Sequence, residues 1–286
     1  MKLIDKIKVV VWNIGFINQG IDSFLSCIDE FEIEWMNHPY RDRFFADPFV
    51  LGMDDLYIFI LAEEYLFREG KGRIVKLTVE KKTKKLCRNE RIIDADYHLS
   101  YPFIFDESII PEQNKSDHWY SYDFGGSKKA ELAGIGLIDA TILDDGCDQW
   151  VFATKIEGHK ESALRKLYRY KMVNGVVDEK TELLIKDSFI ASRPGGNFFC
   201  HNGEWYRPAQ TSTTSVYGES IAICRIVNNT DSDYTEEVVR NVNSHAQKRF
   251  NLGMHTFNLA ENIIVIDGFE MQAHPIYKVL YKIGHR

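Results

Sequence analysis

One unit of sequence recurs five times along the chain, and it restricts the fold more than any other feature. Each copy opens on a polar residue, runs through a short apolar strand, turns, and enters a second strand rich in aromatic and β-branched residues. The copies are Asp47-Pro-Phe-Val-Leu with Leu56-Tyr-Ile-Phe; Ser100-Tyr-Pro-Phe-Ile-Phe105; Asp139-Ala-Thr-Ile-Leu with Gln149-Trp-Val-Phe; Arg193-Pro-Gly-Gly-Asn-Phe-Phe with Glu204-Trp-Tyr; and His255-Thr-Phe-Asn with Ile263-Ile-Val-Ile. They lie roughly 40 to 60 residues apart, the spacing of four-stranded propeller blades with variable insertions. The pattern predicts an all-β, five-bladed β-propeller with short peripheral helices; a β-sandwich is the rival arrangement of regularly spaced short strands.

No Pro/Gly/Ser linker or charge block divides the chain, so residues 1–286 are expected to form a single domain, with residues 1–40 packing on or closing the propeller. The apolar stretch Ile7–Trp12 is too short for a signal-peptide core and reads as a strand. Helical periodicity is confined to Gln19–Phe31 and Thr235–Lys248. The run Glu80–Lys85 reads as an exposed hairpin between blades.

Forty-two acidic against 35 basic residues give a net charge of −7, which argues against nucleic acid as a partner. No 18-residue apolar window suggests a membrane span. Five scattered cysteines without a CxxC pair suggest neither a disulfide framework nor a cysteine zinc site, so a cytoplasmic location is expected. No dinucleotide, P-loop, zincin or nucleophile-elbow motif occurs, and no metal or other cofactor is expected. Oligomeric state is not legible.

In a propeller the head of each innermost strand faces one mouth of the central channel, so Asp47, Ser100/Tyr101, Asp139, Arg193 and His255 should converge on one funnel. Each alone also reads as a turn residue or an exposed group. Asp47 and Glu112 are a potential ionised base and protonated acid, the pairing that glycosidic chemistry requires; a solvated turn carboxylate is the plain alternative for Glu112. His98 is a candidate for positioning substrate or moving a proton. Arg193 and Arg207 present forks suited to phosphate or carboxylate, unless they pair with Asp139 or Glu112 to tie blades together. Trp150, Trp205, Tyr206, Tyr217 and Tyr101 are either sugar-stacking platforms or blade core.

At these residues the chain resembles the five-bladed propellers of the glycoside hydrolase family 43 type. It resembles more closely the N-terminal propeller of plant glucosamine inositolphosphorylceramide transferases and related bacterial polysaccharide-synthesis proteins. The matching segments are Arg43–Phe49, His98–Phe103 with Pro111-Glu112, Ile138–Thr141, Ser192–Asn197, Tyr206–Gln210 with Tyr217-Gly218, and Gly253–Phe257. The resemblance implies a base at Asp47 and an orienting, acid-tuning carboxylate at Asp139. Where family 43 carries its acid in a Glu-Gly-Pro element, this chain has Ser192-Arg193-Pro194-Gly195. The expected function is therefore a carbohydrate-active enzyme of glycan or polysaccharide assembly, transferring a glycosyl group with a phosphate-bearing or acidic sugar bound in the central funnel. Asp47, Asp139 and Glu112 would be catalytic. His98, Tyr101, Arg193, Arg207, Gln210 and His255 would bind a sugar or sugar phosphate, possibly a nucleotide sugar. A family 43-like hydrolase of furanosidase or xylosidase type and a non-catalytic carbohydrate-binding propeller remain open as alternatives.

Overall fold

Alternating apolar residues bounded by turn residues form strands throughout, and these strands assemble as a five-bladed β-propeller of five four-stranded sheets. The structure is a computed structural model and describes residues 8–26, 31–113, 116–155, 157, 162–214 and 216–273. The first blade runs β3 (Arg43–Met53), β4 (Tyr57–Leu66), β5 (Lys71–Glu80) and β6 (Leu86–Ile93) from the axis outward. The second is β7 (Leu99–Phe105), β8 (Ser108–Gln113), β9 (Trp119–Tyr122) and β10 (Lys128–Ala133). The third is β11 (Ile138–Asp144), β12 (Gln149–Thr154), β13 (Lys166–Val173) and β14 (Val176–Asp187), and the fourth is β15 (Phe199–His201), β16 (Glu204–Thr211), β17 (Ser220–Thr230) and β18 (Asp233–Val242).

The fifth blade joins both ends of the described chain. Its inner strands are β19 (Phe257–Ala260) and β20 (Ile263–Ala273); its outer strands are β1 (Lys8–Ile17) and β2 (Glu34–Trp35). β1 pairs antiparallel with β20 from Lys8↔Ala273 to Ile17↔Ile264, so the N-terminal strand closes the ring. Apolar layers then pack between blades: Ile14, Phe16 and Val265 of the last blade meet Phe45, Ile60 and Leu77 of the first.

Two expectations are corrected here. Thr235–Lys248 is not a helix: its first residues belong to β18, which pairs with β17 from Ile221↔Val242 to Thr230↔Asp233. Tyr234 and Glu236 are turned inward there while Glu237, Val238 and Val239 are exposed, the alternation of an outer strand. The lysine-rich run lies within the first blade, as the turn between β5 and β6, and Lys84 is buried over the Phe16 ring. The first helix is α1 (Ile21–Ser26); residues 27–30 lie outside the described chain.

The Pro194-Gly195-Gly196 segment is dictated by close packing. Gly195 O accepts the Phe257 N–H at 2.7 Å. A Cβ on Gly196, whose φ is 139°, would lie 2.0 Å from Phe257 O. Gly146 also has positive φ, 86°, but open space around it. Gly146→Ala should therefore lower stability by roughly 1–2 kcal/mol, the left-handed penalty alone, and Gly196→Ala by considerably more. Denaturant melts of the two variants check this; equal losses would contradict the packing argument.

Candidate active site

The innermost strands of the first three blades break their ladders at the same height. Register shifts fall between Ala46 and Phe49, Ser100 and Phe103, and Ile138 and Thr141. The first residue of each break is non-glycine with positive φ: Asp47 at 50°, Tyr101 at 46° and Asp139 at 47°. A bulge of this kind re-aims a side chain and releases an N–H from the ladder. The released groups go to neighbouring blades. Asp47 N donates to Asp267 Oδ2 at 3.0 Å, and Tyr101 N donates to Asp47 Oδ2 at 3.0 Å.

Around this ring the sequence candidates form one network. Arg193 Nε donates to Asp139 Oδ2, and Arg193 Nη2 reaches Glu112 Oε2 at 3.3 Å. Gln210 Nε2 donates to the same Asp139 oxygen at 2.6 Å and to Pro194 O at 2.7 Å. The Tyr101 hydroxyl accepts from Gly196 N at 2.8 Å and meets Thr141 Oγ1 at 2.8 Å. His255 Nδ1 lies 2.7 Å from Asp267 Oδ2 and 3.5 Å from Asp47 Oδ1. Thr256 Oγ1 donates to Asp47 Oδ1 at 3.0 Å. Tyr217 packs edge-on to His255 with its ring beneath the Arg193 guanidinium, and Trp12 stacks on His255 at 3.9 Å.

Two candidates stand elsewhere. Arg207 is fully buried within the fourth blade, where Nη2 and Nε donate to Glu236 Oε1 and Oε2 at 2.6 and 2.8 Å, Nη2 also to Ala191 O and Nη1 to Ser192 O. It ties β16 to β18. His98 sits behind the ring: Nδ1 accepts from Gly72 N at 2.9 Å and Nε2 lies 3.5 Å from Glu63 Oε1. Trp150 of β12 and Trp205 of β16 pack in the apolar cluster between the third and fourth blades, and Tyr206 packs on Phe199.

Sequence reasoning missed Glu63, Asp267, Thr256 and Trp12. Glu63 opposes Ala46 just as Glu112 opposes Ser100, so the two glutamates hold equivalent places on the second strands of blades one and two. The internal repeat could have revealed Glu63. Asp267 has a weaker signal, an acid ending the apolar run Ile263–Ile266.

The electrostatics separate these acids. Burial pushes Glu112 well above the usual carboxyl range, with Asp139 adding and Arg193 opposing. Burial does the same to Glu63, with Asp47 adding. In both, burial favours the protonated form. Asp47 is pushed up to about 6 by burial, reinforced by Asp139 and Asp267 and opposed by His255. Burial opposes the charge on His255, yet Asp267 and Asp47 outweigh it and raise its pKa; burial likewise opposes Asp267, but His255 and backbone N–H groups hold it ionised. Ligand-type atoms of Asp47, His255 and Asp267 lie within 4.8 Å of one another. That donor set suits a divalent cation, although here His255 Nδ1 is engaged with Asp267.

With this geometry in view, the comparisons place the chain. Residues 27–264 match the family described as glucosamine inositolphosphorylceramide transferase 1, N-terminal. The chain belongs to that family. The glucosamine inositolphosphorylceramide transferases 1 of Oryza sativa subsp. indica and subsp. japonica are each 25% identical over 211 residues. The alignment covers 69% of this chain but 28% of each rice protein, so the chain corresponds to under a third of those relatives. Among solved structures, the GH43_1 enzyme of Xanthomonas citri, complexed with xylose, superposes with a TM-score of 0.51 at 12% identity, over 80% of this chain and 86% of the enzyme. That likeness is one of fold.

Arg207 and Glu236 provide a test of scaffold against site. Burial would raise Glu236, but Arg207 and Lys186 outweigh it and hold it at about 2, below its ordinary 4.5. A depressed carboxyl stabilises fully above its unfolded value, and that stabilisation is lost as pH falls through the folded one. Arg207→Ala should cost about 3–5 kcal/mol at neutral pH, should flatten the acid loss of stability between about pH 4.5 and 2, and should leave affinity at the funnel unchanged. Urea melts across pH, beside ligand titrations, check each part.

Proposed function

We propose that this chain is a carbohydrate-active enzyme of glycan assembly that transfers a glycosyl group bound in the central funnel. The observation that carries this reading is one buried network that gathers Asp47, Asp139, Glu112 and Arg193. Burial raises Glu112 well above the usual carboxyl range beside Asp139 and Arg193, while Asp47 is pushed up to about 6. Transfer at an anomeric carbon requires one carboxylic acid to protonate the departing oxygen and one carboxylate to take the proton of the incoming hydroxyl. Glu112 serves as the acid and Asp47 as the base. Asp139 and Arg193 together set the proton on Glu112, the carboxylate favouring it and the guanidinium opposing it.

The second tier supplies groups for sugar hydroxyls. Gln210 Oε1 is buried without a hydrogen-bond partner among the described residues. Buried polar atoms left unpaired carry a desolvation penalty that a bound hydroxyl relieves. The two arginines expected to hold a phosphate are both engaged, Arg193 with Asp139 and Glu112 and Arg207 with Glu236. The funnel itself therefore suits an uncharged glycosyl unit better than its phosphate. Support for transfer comes from the rice relatives named as transferases.

Purified protein incubated with candidate glycosyl donors and hydroxyl acceptors should yield a new glycoside. Asp47→Asn and Glu112→Gln should each lower turnover by about a hundredfold or more, Glu112→Gln while keeping near-native melting. Free sugar as the sole product would make hydrolysis the correct reading, and unchanged turnover in both variants would overturn the assignment. Because Asp47 must be ionised to act as base, kcat/KM should fall as pH drops below about 6, and the pH profile of Asp47→Asn should lack that limb.

A further inference from the structure

A second polar cavity lies outside the funnel, where the fifth and first blades meet. It has a volume of about 310 Å³ and is lined by His38, Tyr40, Arg41, Arg43, Arg249 and Phe250, with β1 forming one wall. That volume is at the low end for small-molecule sites. Its wall is fixed in place: Asn37 N donates to Lys84 O at 2.8 Å, and Asn37 O accepts from Leu86 N at 3.0 Å.

Three guanidiniums converge here. Arg43 lies over the Tyr40 ring at 4.5 Å, and Arg249 lies over the Phe250 ring at 4.7 Å. Arg43 is held by Asp42 and Glu64, each at 2.8 Å, and one nitrogen of Arg249 is held by Glu270 at 2.6 Å. Among the described residues Arg41 has no carboxylate partner, and its side chain is exposed. His38 Nδ1 is buried and lacks a hydrogen-bond partner among the described residues. Burial first, then the charges of Arg41, Arg249 and Arg43, lower His38 to about 4. A cavity with convergent guanidinium donors and an imidazole nitrogen without a partner suits a multiply charged oxyanion.

We propose that this cavity is an anion subsite that takes a phosphoryl group, either free or carried on a sugar. The subsite stands apart from the sugar-binding reading of the funnel and does not depend on it. Arg41 and the free nitrogens of Arg249 supply donors to the phosphate oxygens, and His38 adds one more in the tautomer protonated at Nδ1. The site also lies close to the funnel in the chain. Val11 and Asn13 line it on either side of Trp12, which stacks on His255, and Arg43 precedes Asp47 by four residues on β3.

Calorimetric titration with inorganic phosphate and with a hexose 1-phosphate, at constant ionic strength in chloride, tests the proposal. Wild-type protein should bind one equivalent saturably. Arg41→Gln and Arg249→Gln, both at exposed positions, should each weaken binding by about tenfold without lowering the melting temperature. Arg193→Gln, in the funnel, should leave phosphate affinity unchanged. Tighter binding of the hexose 1-phosphate would identify a carried phosphoryl group, and equal affinity the free ion. Absence of saturation at about 10 mM phosphate, full affinity in the Arg41→Gln/Arg249→Gln double variant, or loss of binding in Arg193→Gln would overturn the proposal. Because the probe is phosphate and the readout is heat, failure here is distinguishable from failure of glycosyl transfer.

Discussion

The funnel depends on a backbone event, the simultaneous break of three inner strands at Asp47, Tyr101 and Asp139. Each residue adopts a left-handed conformation that costs about 1–3 kcal/mol, and each is held by bonds that cross between blades. Asp267 accepts the Asp47 N–H, Asp47 accepts the Tyr101 N–H, and the Tyr101 hydroxyl receives the Gly196 N–H. The first, second, fourth and fifth blades are thereby linked through a few buried polar groups. Closure by β1 on β20 keeps Asp267 and Trp12 in place beside the first blade. Strain and polar satisfaction therefore support one another: without the bulges the amides would return to their ladders, and without the carboxylates the bulges would have no partners.

The same arrangement explains why neighbouring acids behave differently. All three stand on the second strands of their blades, but Asp267 is surrounded by donors that hold it below the usual carboxyl range, whereas burial and neighbouring carboxyls push Glu63 and Glu112 above it. Arg193 occupies the place where the family 43 pattern carries a glutamate, and it is bound to Asp139 and Glu112. The buried carboxyl beside that guanidinium, Glu112, thus comes from the second blade rather than the fourth. Arg207, although only fourteen positions from Arg193, serves the interior of its blade.

Much of this was legible in the sequence because a polar residue ahead of an apolar strand recurs in register. Asp47, Tyr101, Asp139, Arg193 and His255 were found that way, and the structure brings them together. The pattern carried less information about second strands: Glu63 sits inside a long apolar-aromatic run and becomes conspicuous only when aligned with Glu112. Trp12 is on a strand that contributes no blade head, so no repeat pointed to it. The helix expected at Thr235–Lys248 failed because two adjacent acids mimic a helix start, whereas Tyr234 and Glu236 alternate inward to meet Arg207. His98 and Arg207 have the chemistry of binding residues, but partners far apart in sequence, Glu63 and Glu236, decide where they point.

The central claim is that buried acids around the ring are pushed in opposite directions from the ordinary carboxyl range. Carbon-13 NMR of the side-chain carboxyls, titrated from acid to neutral and assigned with single Asp→Asn and Glu→Gln variants, measures it directly. Glu112 and Glu63 should titrate well above the ordinary carboxyl range, while Asp267 remains ionised below it. Ionisation of all three at ordinary values would contradict the account and leave the funnel as a hydrogen-bonded axle of the propeller.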